Sequence, residues 1–234
     1  ERVLAMAASS WVPLLERLRY LCIVSSNLDE FFEIRVASLK EQIAQATEEV
    51  KADGYSAKEA FSIIQEQAHA LVHQQHRLLL DQVLPALDNE GMAVLPPERW
   101  NDAQRAWCYE RFVQELKPLL TPIGLEPAHP FPRVYNKSLN LMVCLDGEDA
   151  FGRSSSLAWV QVPRALPSLL SVPPALMEPG KSGYVLLSEV IRTFVYELFP
   201  GMTVQGCYAW RVTRNSNWTE VDTYPSFSNC ENSF

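Results

Sequence analysis

Over roughly the first ninety positions, apolar residues recur every three or four places, the step of a helix that buries one face. Leu14, Leu18, Leu21 and Cys22 form one stripe, opened by Pro13 after Ser9-Ser10 and expected to stop near Ser25-Ser26. Cys22 reads there as a small core residue. A second stripe runs through Leu28, Phe32, Val36, Leu39 and Ile43 toward Asp53-Gly54. Asn27 and Glu30 have capping-box spacing at its start, and Asp29 and Glu30 suit the positive end of a helix dipole. Ser56 and Glu59 repeat that spacing before a third helix. Its inner face carries Phe61, Ile64, Ala68, Leu71, Val72, Gln75 and Leu79, and Pro85 with Asn89-Glu90-Gly91 closes it. Three amphipathic helices with short connections bury their stripes against one another, which predicts an antiparallel bundle.

Pro96-Pro97 marks a linker, after which Asn101 is placed to cap one more helix. Beyond Pro118 the period changes. Leu139, Leu141, Val143 and Leu145 alternate with more polar positions, as a half-buried strand does. Further strands are expected at 157–162, 184–187 and 208–213, with a helix capped by Ser188 between the last two. Helices are too few for regular βαβ alternation, so the sheet should be antiparallel or mixed. The fold class is therefore α+β and multidomain: a helical bundle over 1–95, an α+β head over 96–222, and a Ser/Asn-rich tail over 223–234 expected to be poorly ordered.

Charge and cysteine content narrow the function classes. With 20 Lys+Arg against 28 Asp+Glu, the net charge of −8 argues against nucleic acid as a partner. Any phosphate site must be local, built from a few positioned donors. Five scattered cysteines without a Cys-x-x-Cys pair indicate neither a disulfide framework nor a zinc site, and fit a reducing compartment. No apolar run reaches the roughly 20 residues that span a bilayer.

Few residues offer chemistry on their own. The Asn27 carboxamide sets a donor beside an acceptor, which suits either a helix cap or the edge of an adenine ring. Asp29 and Glu30 point about 100° apart on a helix, so they do not converge on one proton or metal and read as solvated charge. His69, His73 and His76 share one side of the third helix, but no nearby carboxylate or cysteine completes a ligand set, so no metal site is assigned. Arg133 and Lys137 sit close together in a loop before a strand, where they could meet phosphate or simply face water.

Several motifs go further together. Residues 23–39, which run from Ile23 through Ser25-Ser26-Asn27-Leu28-Asp29-Glu30-Phe31 to Leu39, resemble the start of the family-one bacterial polyphosphate kinases. Leu120-Thr121-Pro122-Ile123, Pro130-Phe131-Pro132-Arg133, Asn136-Lys137-Ser138-Leu139-Asn140, Pro200-Gly201-Met202-Thr203 and Arg211-Val212-Thr213-Arg214-Asn215-Ser216 resemble the same family in the same order. The resemblance covers about residues 1–222, the front third of such an enzyme, and implies its helical N-terminal and head domains.

The resemblance implies ATP as substrate, Mg in the full enzyme, polyphosphate as the growing chain, and transfer through a phosphohistidine. It implies nucleotide contact at Asn27, phosphate contact at Arg133 and Lys137 along a polyphosphate tunnel, and a homo-oligomer formed through the head. A cytoplasmic location is expected, with membrane association of the full enzyme left open. The family's catalytic histidine lies in a His-x-Lys element. His69, His73, His76 and His129 are followed two places on by Leu71, Gln75, Leu78 and Phe131. No catalytic residue is therefore assigned, and the chain alone is expected to be inactive. The alternative is a non-catalytic interaction or regulatory module that dimerises through the head.

Overall fold

A computed structural model describes residues 1–45, 54–125, 131–148 and 156–214. The chain begins with a short helix α1 (Arg2–Ala8), followed by α2 (Leu14–Glu30). The second does not stop at Ser25-Ser26, contrary to expectation. It passes through a widened π turn (Phe31–Val36) straight into α3 (Ala37–Ala44), with right-handed helical backbone at both joins. Two causes are visible. Leu21 and Leu28 are one heptad apart, so the two stripes share a phase and bury as one. From across the bundle, the buried Gln75 donates to Ser25 Oγ at 2.7 Å and to Leu21 O at 2.8 Å, so the polar step is satisfied inside the helix.

That continuity overturns two other expectations. Asn27 lies in a helix interior and caps nothing, so Asp29 and Glu30 sit at no dipole end. Cys22 faces outward and is exposed, because Leu21 and Val24 take the buried side. The expected stop at Asp53-Gly54 falls partly outside the described residues, and the tail over 223–234 lies wholly outside them.

The capping box at Ser56 and Glu59 forms and opens α4 (Ala57–Leu78). A π turn (Leu79–Val83) leads on into α5 (Leu84–Asn89), so Pro85 does not end the helix. Proline lacks an N–H and its ring collides with the carbonyl four residues back, and the widened turn before it relieves both. The same device recurs ahead of Pro118, where α6 (Asp102–Arg111), capped by Asn101, widens over Phe112–Leu116. Contacts of Arg17 with Gln82, Ser25 with Gln75 and Lys40 with Phe61 run in opposite senses along the two long helices. The long helices run antiparallel, but as a pair rather than the expected three, because the first two expected helices are one.

Strands β1 (Met92–Val94), β2 (Pro122–Gly124), β3 (Asn140–Gly147), β4 (Leu157–Gln161), β5 (Leu169–Ser171), β6 (Ser182–Leu186) and β7 (Met202–Trp210) build two sheets. One is mixed, in the order β1-β6-β5, with β1 parallel to β6. The other is antiparallel, β2-β4-β3-β7, with a bulge at Cys144/Leu145 that adds local twist to β3. The strand expected at 208–213 starts earlier and ends at Trp210. The last helix, α7 (Leu187–Phe194), starts after Leu186 without a side-chain cap, and Ser188 falls inside its first turn.

One apolar core joins the inner face of the antiparallel sheet (Leu141, Val143, Val160) to α6 and α7 through Cys108, Phe112, Val190 and Ile191. The opposite face carries Met142 and Trp159, with the aromatic contacts Phe131–Trp159 and Phe131–Trp210. Asn140, fully buried there, donates to Ser138 O at 2.8 Å and Ser138 Oγ at 3.1 Å and accepts from Trp159 Nε1 at 3.1 Å. A buried amide with every bond made fixes the start of β3 and the loop before it.

Candidate functional site

The helix that carries Asn27 has two working sides. Steps of about 100° place Asp29 about 160° around the axis from Asn27, so the two residues face different surroundings.

Asp29 and Glu33, one turn apart, face the head domain. The Arg211 guanidinium binds Asp29 Oδ1, and the Asp29 side chain is only 15% exposed. It is therefore not the solvated charge that the sequence implied. Glu33 accepts from Lys137 Nζ at 2.6 Å and from Asn136 Nδ2 at 2.8 Å. The Lys137 hydrogen bond, helped by Asn136, outweighs partial burial and holds the Glu33 carboxyl below its ordinary 4.5. Asn136 Oδ1 also takes the backbone N–H of Arg214 at 2.9 Å, and Lys137 N–H donates to Val212 O at 2.8 Å. Lys137 holds φ at 57°, a left-handed turn that aims its side chain back toward the bundle. Asn136-Lys137 thus ties the π turn after α2 to the segment that follows β7.

Asn27 lies on the other side and is exposed. Ile23, Phe31 and Ile34, spaced four, four and three residues apart through Asn27, are exposed around it at 36%, 36% and 54%. An exposed amide within an apolar helical stripe can read the polar edge of a flat ring while its neighbours cover the ring's faces. Arg35 is exposed beyond the same turn. The stripe was visible in the sequence only in part, because a helix assumed to start at Asn27 separates Ile23 from Phe31.

Of the proposed phosphate contacts, Lys137 is engaged with Glu33, and Arg133 is exposed four residues before it. Arg164, which was not singled out, donates to Asn136 O beside them. His69, His73 and His76 are all exposed on α4. Among the described residues, no group of three His, Cys, Asp or Glu side chains is placed to hold a metal ion. His129, Asn215 and Ser216 lie outside them. No helix among the described residues is long and apolar enough to cross a membrane.

Residues 1–95 match the family model for the polyphosphate kinase N-terminal domain, and residues 103–224 match that for the polyphosphate kinase middle domain. The chain belongs to the polyphosphate kinase family. It is 53% identical over 216 residues to the polyphosphate kinases of Burkholderia lata and Burkholderia vietnamiensis, covering 92% of this chain and 31% of theirs. The polyphosphate kinase of Paraburkholderia phytofirmans is 52% identical over the same span. In three dimensions the chain resembles the crystal structure of polyphosphate kinase from Porphyromonas gingivalis, with a TM-score of 0.80 and 26% identity, over 93% of this chain and 32% of that one. The chain therefore spans about a third of the length of the polyphosphate kinases it matches, and corresponds to their N-terminal and middle domains.

Proposed function

We propose that this chain serves as the nucleotide-covering and scaffolding portion of a polyphosphate kinase, which transfers the terminal phosphate of ATP reversibly to inorganic polyphosphate through a phosphohistidine. Asn27 reads the base of ATP, and Ile23, Phe31 and Ile34 shield it. The observation that carries this role is the exposed Asn27 amide held mid-helix within an apolar stripe that nothing described on the chain covers. Lys137 and Arg133 border the path of the phosphate chain, and the head supplies the surface for homo-oligomers. Mg accompanies ATP in the whole enzyme, which works in the cytoplasm. The described residues offer no activated acceptor beside fixed positive charge, the two parts that phosphoryl transfer requires.

The purified chain incubated with Mg and ATP is therefore expected to form no polyphosphate and no acid-labile phosphohistidine. A full-length polyphosphate kinase carrying this segment should show a raised KM for ATP when Asn27 is changed to Ala. Robust synthesis by the chain alone would overturn the assignment of scaffold, and an unchanged KM would overturn the role of Asn27.

A further inference from the structure

Two adjoining clefts on the head domain, of about 480 and 510 Å³, share Val162, Pro163 and Arg164, and Asn27 lines neither. The first is mainly apolar and aromatic. Its floor is the sheet face where Ile123 pairs with Trp159, flanked by Gln161 and Thr121. Its wall is Tyr135, 59% exposed, whose ring lies 5.6 Å from the Arg164 guanidinium carbon. Arg164 also donates to the Asn136 carbonyl, which anchors the guanidinium above the ring. The second cleft is mixed: Lys137, Ser168, Ser188 and Arg164 supply its polar groups among Leu139, Leu166, Leu186 and Leu187. Among the described residues, the two linings hold two cations and no carboxylate, on a chain whose net charge is −8. Glu33 reaches Lys137 from the bundle side.

The chemistry differs between the two ends. A ring braced by a guanidinium, with an amide and a hydroxyl over an apolar floor, suits a flat heterocycle with donors and acceptors on its edge. Guanidinium, ammonium and hydroxyl groups next door suit phosphate oxygens. A bare phosphate chain would use only the second cleft, and an uncharged base only the first. We infer that the joined clefts bind a nucleoside di- or triphosphate, with its base against Tyr135 and its phosphates toward Arg164 and Lys137. This is a site on the head domain distinct from the Asn27 surface.

Calorimetric titration of the whole chain with ATP, adenosine and inorganic tripolyphosphate tests it. ATP should bind more tightly than either of the others. In an Asn27→Ala background, which removes the other proposed contact, Tyr135→Ala should weaken ATP about tenfold, the scale of losing one base-stacking platform, and leave tripolyphosphate unchanged. Tyr135→Phe keeps the ring and should retain ATP, which separates stacking from folding. Arg164→Ala should weaken both ATP and tripolyphosphate, whereas Asn27→Ala should leave the head site intact. Loss of ATP binding confined to Asn27→Ala would overturn the inference while supporting the reading of Asn27. With Asn27→Ala in place, ATP binding that survives both Tyr135→Ala and Arg164→Ala, or that is no tighter than tripolyphosphate, would also overturn it.

Discussion

Glu33 Oε2 accepts a hydrogen bond from Lys137 Nζ at 2.6 Å across 104 positions of chain, and so ties the helix of the Asn27 motif to the head. Because the folded state holds this carboxyl below 4.5, folding favours its ionised form. The stabilisation is present in full above the unfolded value and is lost as pH falls through the lower folded value. Comparing melting temperatures of the wild type and Glu33→Gln at about pH 6 and about pH 3 reads this directly. The wild type should be the more stable at the higher pH, with the difference closing in acid. Added salt should also shrink it, because both partners are partly exposed. A difference that persists unchanged in acid would show that the ion pair contributes nothing.

Asn140 makes a second prediction, about the head rather than the junction. Its amide satisfies Ser138 twice and Trp159 Nε1 once, with no exposure to water. Leucine has a similar volume but leaves the indole N–H and the Ser138 carbonyl without those partners. Asn140→Leu should therefore cost about 1–3 kcal/mol in urea unfolding. A neutral result would mean that the strand start tolerates an apolar side chain and that the network is dispensable.

The thiols should differ sharply in reactivity. Burial pushes Cys108 up to about 11, partly offset by Arg105, and the residue is 1% exposed. At neutral pH its thiolate fraction is on the order of one in ten thousand, whereas Cys22 on the outer face of α2 is accessible. Brief alkylation followed by peptide mass mapping should find Cys22 modified first and Cys108 modified only after denaturation. Equal rates would show that the core around Phe112 opens readily.

Period and turn chemistry made much of this architecture legible. The capping boxes at Ser56 and Asn101 formed where their spacing placed them, and the alternation over 139–145 became β3. Two failures are alike. Ser25-Ser26-Asn27 and Pro85 are local breaking signals that do not end a helix here: Gln75 satisfies the first from across the bundle, and a widened turn just before the proline accommodates the second. Strands β1, β2 and β5 have three residues each, too few to show a period. Motif resemblance singled out Asn27 and Lys137, which the structure sets in different surroundings, one exposed and one paired with Glu33. The pairs Asp29–Arg211 and Glu33–Lys137 depend on a domain packing that spacing along the chain does not encode.

Asn27→Ala separates the two accounts of that residue by sign. An N-cap asparagine replaced by alanine loses about 1 kcal/mol. An exposed asparagine in a helix interior gains on the same change, by up to about 0.5 kcal/mol, because alanine is the better helix former. The position lies between Val24 and Leu28 on a continuous helix, so chemical denaturation of Asn27→Ala should show unchanged or slightly raised stability. If a full-length kinase with the same substitution also retains ATP less well, the asparagine is kept at some expense to its own helix. That combination points to a ligand, because a residue held for structure alone would lose both.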